Sequence, residues 1–96
     1  MALYTLRYGE EVGDDLDEIP ANLRKRIVRA IEMRLADAPD RYGERLAQSL
    51  AGLWRIRSGD YRIVYEIDEA ARTVTIWAIR HRREVYVEAL RRWLAR

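Results

Sequence analysis

Three arginines alternate with apolar residues where this chain reads as paired strands: Trp54-Arg55-Ile56-Arg57, then Ser58-Gly59-Asp60, then Tyr61-Arg62-Ile63. Side chains of a strand alternate between faces, so Arg55 and Arg57 share the face opposite Trp54 and Ile56, and Arg62 stands opposite Tyr61 and Ile63. With the aromatic and aliphatic sides turned to a core, the three arginines emerge on the open side of the sheet. The segment Arg80-His81-Arg82-Arg83 brings further positive charge to the same region. Like charges repel, and folding does not reward gathering them; a bound polyanion does. The plain alternative is a solvated face whose arginines pair with Glu66, Glu84 and Glu88. Of 18 basic residues 17 are arginine, whose planar fork matches phosphate and carboxylate.

Two groups near that surface are suited to proton transfer, His81 and Tyr86. A lone histidine is more often a surface or structural residue, and Tyr86, opening a helix, can equally pack in the core. A phenol works as a base near neutral pH only beside cations, and the sequence supplies them. Arginines Arg55, Arg57, Arg62, Arg80, Arg82 and Arg83 stabilise negative charge on phosphate but do not deprotonate.

The elements that must position these groups follow from periodicity. Residues 2–8 read as a first strand ended by Gly9. Val12, Leu16 and Ile19 outline a short acidic helix over 10–18. After Pro20, Leu23, Ile27, Ile31 and Leu35 recur every four residues and mark the strongest helix, ending near Pro39. Residues 39–52, with Pro39, Gly43 and Gly52, read as a loop. Alternation then predicts three strands joined by short turns, over 54–57, 61–67 and 73–80, an antiparallel meander. Val85, Ala89, Leu90, Trp93 and Leu94 outline a C-terminal helix. The expected order is β-α-α-β-β-β-α: an α+β, two-layer single domain over 1–96, its antiparallel sheet covered by helices on one face.

Composition narrows the options. At 96 residues and 11.4 kDa the chain forms one small domain of marginal stability. It has no cysteine, which removes a disulfide framework, a thiolate zinc site and a cysteine nucleophile. A single histidine removes a multi-histidine metal site within one chain. No apolar run approaches the ~18 residues of a membrane span, and no signal-peptide pattern is present, so the expected compartment is the cytoplasm, with no membrane partner. Charge is unevenly spread: residues 1–18 carry one arginine against six acids, while residues 52–96 carry ten arginines against six acids.

The stretch Leu53-Trp54-Arg55-Ile56-Arg57-Ser58-Gly59-Asp60-Tyr61-Arg62-Ile63-Val64-Tyr65-Glu66-Ile67 resembles the central hairpin of the RelE/ParE toxin superfamily. His81-Arg82-Arg83-Glu84-Val85-Tyr86 resembles that superfamily's C-terminal motif, and length and element order agree over essentially the whole chain. The motifs are closer to the RelE branch.

The resemblance implies the toxin of a type II toxin–antitoxin pair, an endoribonuclease that cleaves mRNA in the ribosomal A site and so stops translation, without metal or cofactor. Its implied partners are a cognate antitoxin, the ribosome and mRNA. Carried over by position, Arg55 and Arg62 match basic catalytic positions and Tyr86 matches the general base. Arg82 matches the second catalytic arginine, with Arg80 as the alternative, and His81 stands as a further proton-transfer candidate. Arg57, Arg80 and Arg83 are expected on phosphate. The sequence departs at Leu53, where the most active members carry a lysine, which counts against fast cleavage. Two other readings remain open at this point: a ParE-type toxin that poisons DNA gyrase, and an inactive nucleic-acid-binding member of the same fold.

Overall fold

In the computed structural model, which describes residues 3–96, the first strand is Thr5–Tyr8 (β1), shorter than expected, with Ala2 outside the described residues. It is followed by Val12–Asp17 (α1) and Ala21–Ala30 (α2), whose last turn widens into a π-helical segment, Ile31–Leu35. The expected loop over 39–52 is more ordered than its Pro and Gly content suggests. It holds a helical turn, Pro39–Tyr42 (α3), a two-residue strand, Glu44–Arg45 (β2), and a 3-10 turn at Gln48–Leu50. The meander is present as Trp54–Ser58 (β3), Tyr61–Asp68 (β4) and Thr73–His81 (β5), and Val85–Ala95 forms the last helix (α4).

The α+β class holds, but two details of the expectation are corrected. The sheet is mixed, in the order β1-β5-β4-β3-β2, because β1 runs parallel to β5, from Thr5 beside Thr73 to Tyr8 beside Ile76. A helical connection follows β1, so the chain need not return beside it as a hairpin would require. Helices also cover both faces rather than one. On β4, Ile63 and Tyr65 point to one side and Val64 to the other, and all three are fully buried. A strand apolar on both faces needs cover on both. Ile63 and Tyr65 pack with Val12, Ile27, Ile31 and Leu35 from α1, α2 and the π-helical segment. Val64 packs with Leu53, Ala78, and Val85 and Ala89 of α4.

A β-bulge sets the register of the site. Val64 pairs with Ala78 but Tyr65 pairs with Ile76, so Trp77 is the extra residue on β5. An extra residue reverses the alternation beyond it. Ile76 and Ile79 therefore both enter the α1/α2 core, while Trp77 and Ala78 both face α4. Trp77 fills its place with an edge-on contact to Trp93 at 5.7 Å and a hydrogen bond from Nε1 to Glu66 at 3.2 Å. Among the described residues no helix is long and apolar enough to cross a membrane.

Candidate functional site

Beyond the bulge, β5 presents Arg80 directly across from Arg62, and Arg62 stands directly across from Arg57 on β3. Three arginines thus form one row over three adjacent strands, on the face covered further along by α4. Like charges directly opposite one another in a sheet are destabilising, so the row is held in place by its surroundings. Arg62 Nη1 turns back onto the β3–β4 turn, donating to Gly59 O at 3.0 Å and Tyr61 O at 2.9 Å. Arg80 Nε donates to Asp15 Oδ1 at 3.1 Å, and its Nη1 lies 3.9 Å from Glu84. Arg57, exposed over more than half of its side chain, reaches the edge of Glu44 at 4.0 Å and no other carboxylate among the described residues.

Arg55, two residues before Arg57 on the same face, meets α4. Its Nη1 donates to the hydroxyl of Tyr86, in the first turn of α4, at 2.6 Å. That hydrogen bond, ahead of the neighbouring Glu44 at 3.7 Å, strengthens the hold of Arg55 on its proton. Among the described residues the buried Arg55 Nε has no partner, so the guanidinium keeps an unused donor at the site. Leu53 faces the same way one alternation earlier, but it is 1% exposed and packs against Val64, Val85 and Ala89. It adds no charge; it seats the start of α4.

The turn between β5 and α4 carries the remaining candidates. The Arg82 N–H donates to Asp60 O at 2.8 Å, tying this turn to the β3–β4 turn, while the Arg82 and Arg83 side chains are exposed. Among the described residues neither makes an ion pair. His81 is placed elsewhere. Opposite Tyr61 in the register, it shares the other face of the sheet with that ring, edge-on at 6.1 Å, and its Nδ1 accepts from the Arg83 N–H at 3.3 Å. Arg55, Arg57, Arg62, Arg80 and Tyr86 therefore gather on one face, with Arg82 and Arg83 at its rim and His81 on the opposite side.

Spacing alone did not reveal Asp15 and Arg92 behind this surface. Asp15, its side chain fully buried, receives Arg92 Nη1 and Nη2 at 2.7 and 2.8 Å, Arg80 Nε, and the Ile79 N–H at 3.0 Å. Arg92 also donates to Glu88 at 3.0 Å and to Trp77 O at 2.9 Å. Burial by itself raises the carboxyl of Asp15, yet the hydrogen bonds from Arg92, Ile79 and Arg80 outweigh it and hold the group below its ordinary value. The unequal charge of the chain ends was the available signal: acidic α1 and basic α4 meet here, Arg91 also pairing with Glu11.

A face with several preorganised guanidiniums and one phenol on a guanidinium can bind a phosphodiester and move a proton beside it. Known proteins resemble the chain over most of its length. A model of the family described as "ParE toxin of type II toxin-antitoxin system, parDE" matches residues 6–86. Toxin RelG of Mycobacterium tuberculosis is 34% identical over 83 residues, which is 86% of this chain and 95% of the relative. Toxin RelE of the same organism is 36% identical over 72 residues, 75% of this chain and 74% of the relative. The crystal structure of the RelBE2 toxin–antitoxin complex from Mycobacterium tuberculosis superposes with a TM-score of 0.77 at 33% identity, covering 81% of this chain and 96% of that one. A free mutant of Escherichia coli RelE, at 22% identity and a TM-score of 0.72 over 96% of this chain and 98% of its own, shares the fold. With the family match running over most of its length and a relative covered almost end to end, the chain belongs to the ParE toxin family of type II toxin–antitoxin systems, within the RelE/ParE superfamily.

Proposed function

We propose that this toxin is an endoribonuclease that cleaves ribosome-bound mRNA and thereby stops translation. The observation that carries the reading is the 2.6 Å hydrogen bond from Arg55 Nη1 to the Tyr86 hydroxyl, which sets a phenol oxygen against a cation at the end of an arginine row. Tyr86, its hydroxyl oxygen held by Arg55, acts as the general base toward the proton of a ribose 2′-hydroxyl. The 2′-oxygen attacks the adjacent phosphorus, the bond from phosphorus to the 5′-oxygen breaks, and that oxygen takes a proton from water. The products are a 2′,3′-cyclic phosphate and a 5′-hydroxyl. Arg55, Arg57 and Arg62 face the charge that builds on the phosphate, and losing one such donor typically costs about 2.7–4 kcal/mol of barrier. Arg80, Arg82 and Arg83 extend the phosphate-binding surface. General acid–base groups contribute only ~10²–10⁴-fold, so positioning by the ribosome supplies much of the remainder.

The same reading gives the toxin a cognate antitoxin that covers this face in the resting cell with carboxylates and an amphipathic segment. Structural relatives solved as RelB–RelE complexes, from Pyrococcus horikoshii and Methanococcus jannaschii, support such a partner.

Primer extension on cellular mRNA after induction tests the reading, with an Arg62→Ala/Tyr86→Phe variant beside the parent. New 5′ ends within translated regions, absent for the variant, are expected. Arrest with a DNA-damage response and intact mRNA contradicts the reading and favours a gyrase target.

A further inference from the structure

A second basic surface lies around the edge of β3 from the arginine row. The strand β2 pairs with Trp54 and Arg55, and among the described residues β3 has no strand on its outer side beyond that point. There a cleft of about 510 Å³ opens between the β3–β4 turn and α2 with its π-helical end. Arg26, Arg29 and Arg34 line one wall, Arg57 the other, and Met33 and Tyr42 stand exposed within it. Among the described residues Arg26, Arg29 and Arg34 have no carboxylate within ion-pair distance, and the guanidinium of Arg34 lies 5.9 Å from the centre of the Tyr42 ring. Four arginines with one distant carboxylate between them, around an exposed aromatic ring, are complementary to a flexible polyanion that carries flat rings of its own.

We infer that this cleft is a single-stranded RNA track, with Tyr42 as a base-stacking platform and Arg26, Arg29 and Arg34 on the phosphates. It continues the proposed cleavage site, on whose reading as an RNA site it rests, through Arg57, which belongs to both surfaces. Arg57 sits two residues along β3 from Arg55, about 7 Å at strand rise, so one strand of RNA can pass from Tyr86 over Arg57 into the cleft. A stacking ring accepts any base and guanidinium groups accept any phosphate, so the track adds affinity without sequence preference.

Fluorescence anisotropy with the full chain and a 12-nucleotide RNA tests this, every ribose 2′-O-methylated so that no attacking hydroxyl is present. Tyr42→Ala is expected to weaken binding by about tenfold, the loss of one stacked base. The triple change Arg26→Ala/Arg29→Ala/Arg34→Ala should lower the slope of log affinity against log salt by about 0.7 for each phosphate contact removed. All four positions are exposed, and unchanged melting temperatures certify the fold of each variant. Wild-type affinity and slope in both variants, or no binding by the parent, overturn the track. So does a pattern in which the variants keep RNA but lose a polyglutamate peptide, which assigns the cleft to an acidic protein segment. Because the probe cannot be cleaved, the result is independent of whether Tyr86 is the base, which turnover assays decide separately.

Discussion

Asp15 and Arg92, 77 residues apart in sequence, form a two-pronged ion pair at 2.7 and 2.8 Å with both side chains nearly or fully buried. Asp15 also takes the Ile79 N–H on the stretch of β5 beyond its pairing with β1 and the Nε of Arg80. One carboxylate thus ties α1, β5 and α4 together, and α4 carries Tyr86. The arginine row and the phenol keep their relative places through a carboxylate sealed from solvent.

Breaking that pair leaves a buried charge without compensation. Asp15→Ala or Arg92→Ala should each cost about 3–5 kcal/mol of stability. An apolar exchange of both, Asp15→Leu/Arg92→Leu, should cost well below the sum of the two single changes, because no charge is stranded. Urea midpoints of the four proteins check this; additive losses would mean the pair is not coupled.

Acid should loosen the same clamp. Asp15 is held below its ordinary value, and Glu88, bonded first by Arg91 and flanked by Arg92, is drawn down to about 2. Both folded-state values lie below the unfolded ones, so the stabilisation is complete above the ordinary carboxylate range and is lost as pH falls from about 4.5 toward 2. Melting temperature should be level between pH 7 and 5 and fall below pH 4. A melting temperature unchanged down to pH 2.5 would contradict this linkage.

Much of the site was legible before the fold. Period-two alternation placed Arg55, Arg57 and Arg62 on one face, and the register confirms it. The order of Arg80 and His81 was not legible, because it depends on a single extra residue. Without the bulge at Trp77, strict alternation from Val74 and Ile76 would turn His81 toward Arg62 and Arg80 away; the bulge exchanges them. The second helical layer was hidden for a related reason. Its seat on the sheet is Val64, Ala78 and the bulged Trp77, with Leu53 just before β3, and on β4 Val64 stands on that face between the charged Arg62 and Glu66. The parallel entry of β1 and the Asp15–Arg92 pair rest on contacts between chain ends, which local periodicity does not carry.

Gly43 owes its place to close approach. A Cβ there would overlap the Tyr65 hydroxyl and lie 3.1 Å from the Arg55 carbonyl, while Tyr65, fully buried, donates to Pro39 O at 2.7 Å. Gly43→Ala should destabilise by about 1–3 kcal/mol through overpacking and the displaced hydrogen bond. Adding Tyr65→Phe should recover part of that loss, since the hydroxyl is the nearest obstacle, although the ring carbon at 2.9 Å stays tight. Chemical denaturation of the single and double variants reads the effect; a double variant weaker than the sum of the singles would refute the steric cause.

The contact between Arg55 and Tyr86 is the centre of the functional reading, and removing one oxygen atom tests it. Tyr86→Phe keeps the ring, its packing against Leu53 and Val64, and every neighbouring charge. Single-turnover cleavage of ribosome-bound mRNA and thermal melting should be measured on the same samples. The expected result is a rate lower by ~10²-fold or more, with stability and ribosome binding close to those of the parent. A folded Tyr86→Phe toxin that cleaves at the parent rate would contradict the assignment of Tyr86 as the base.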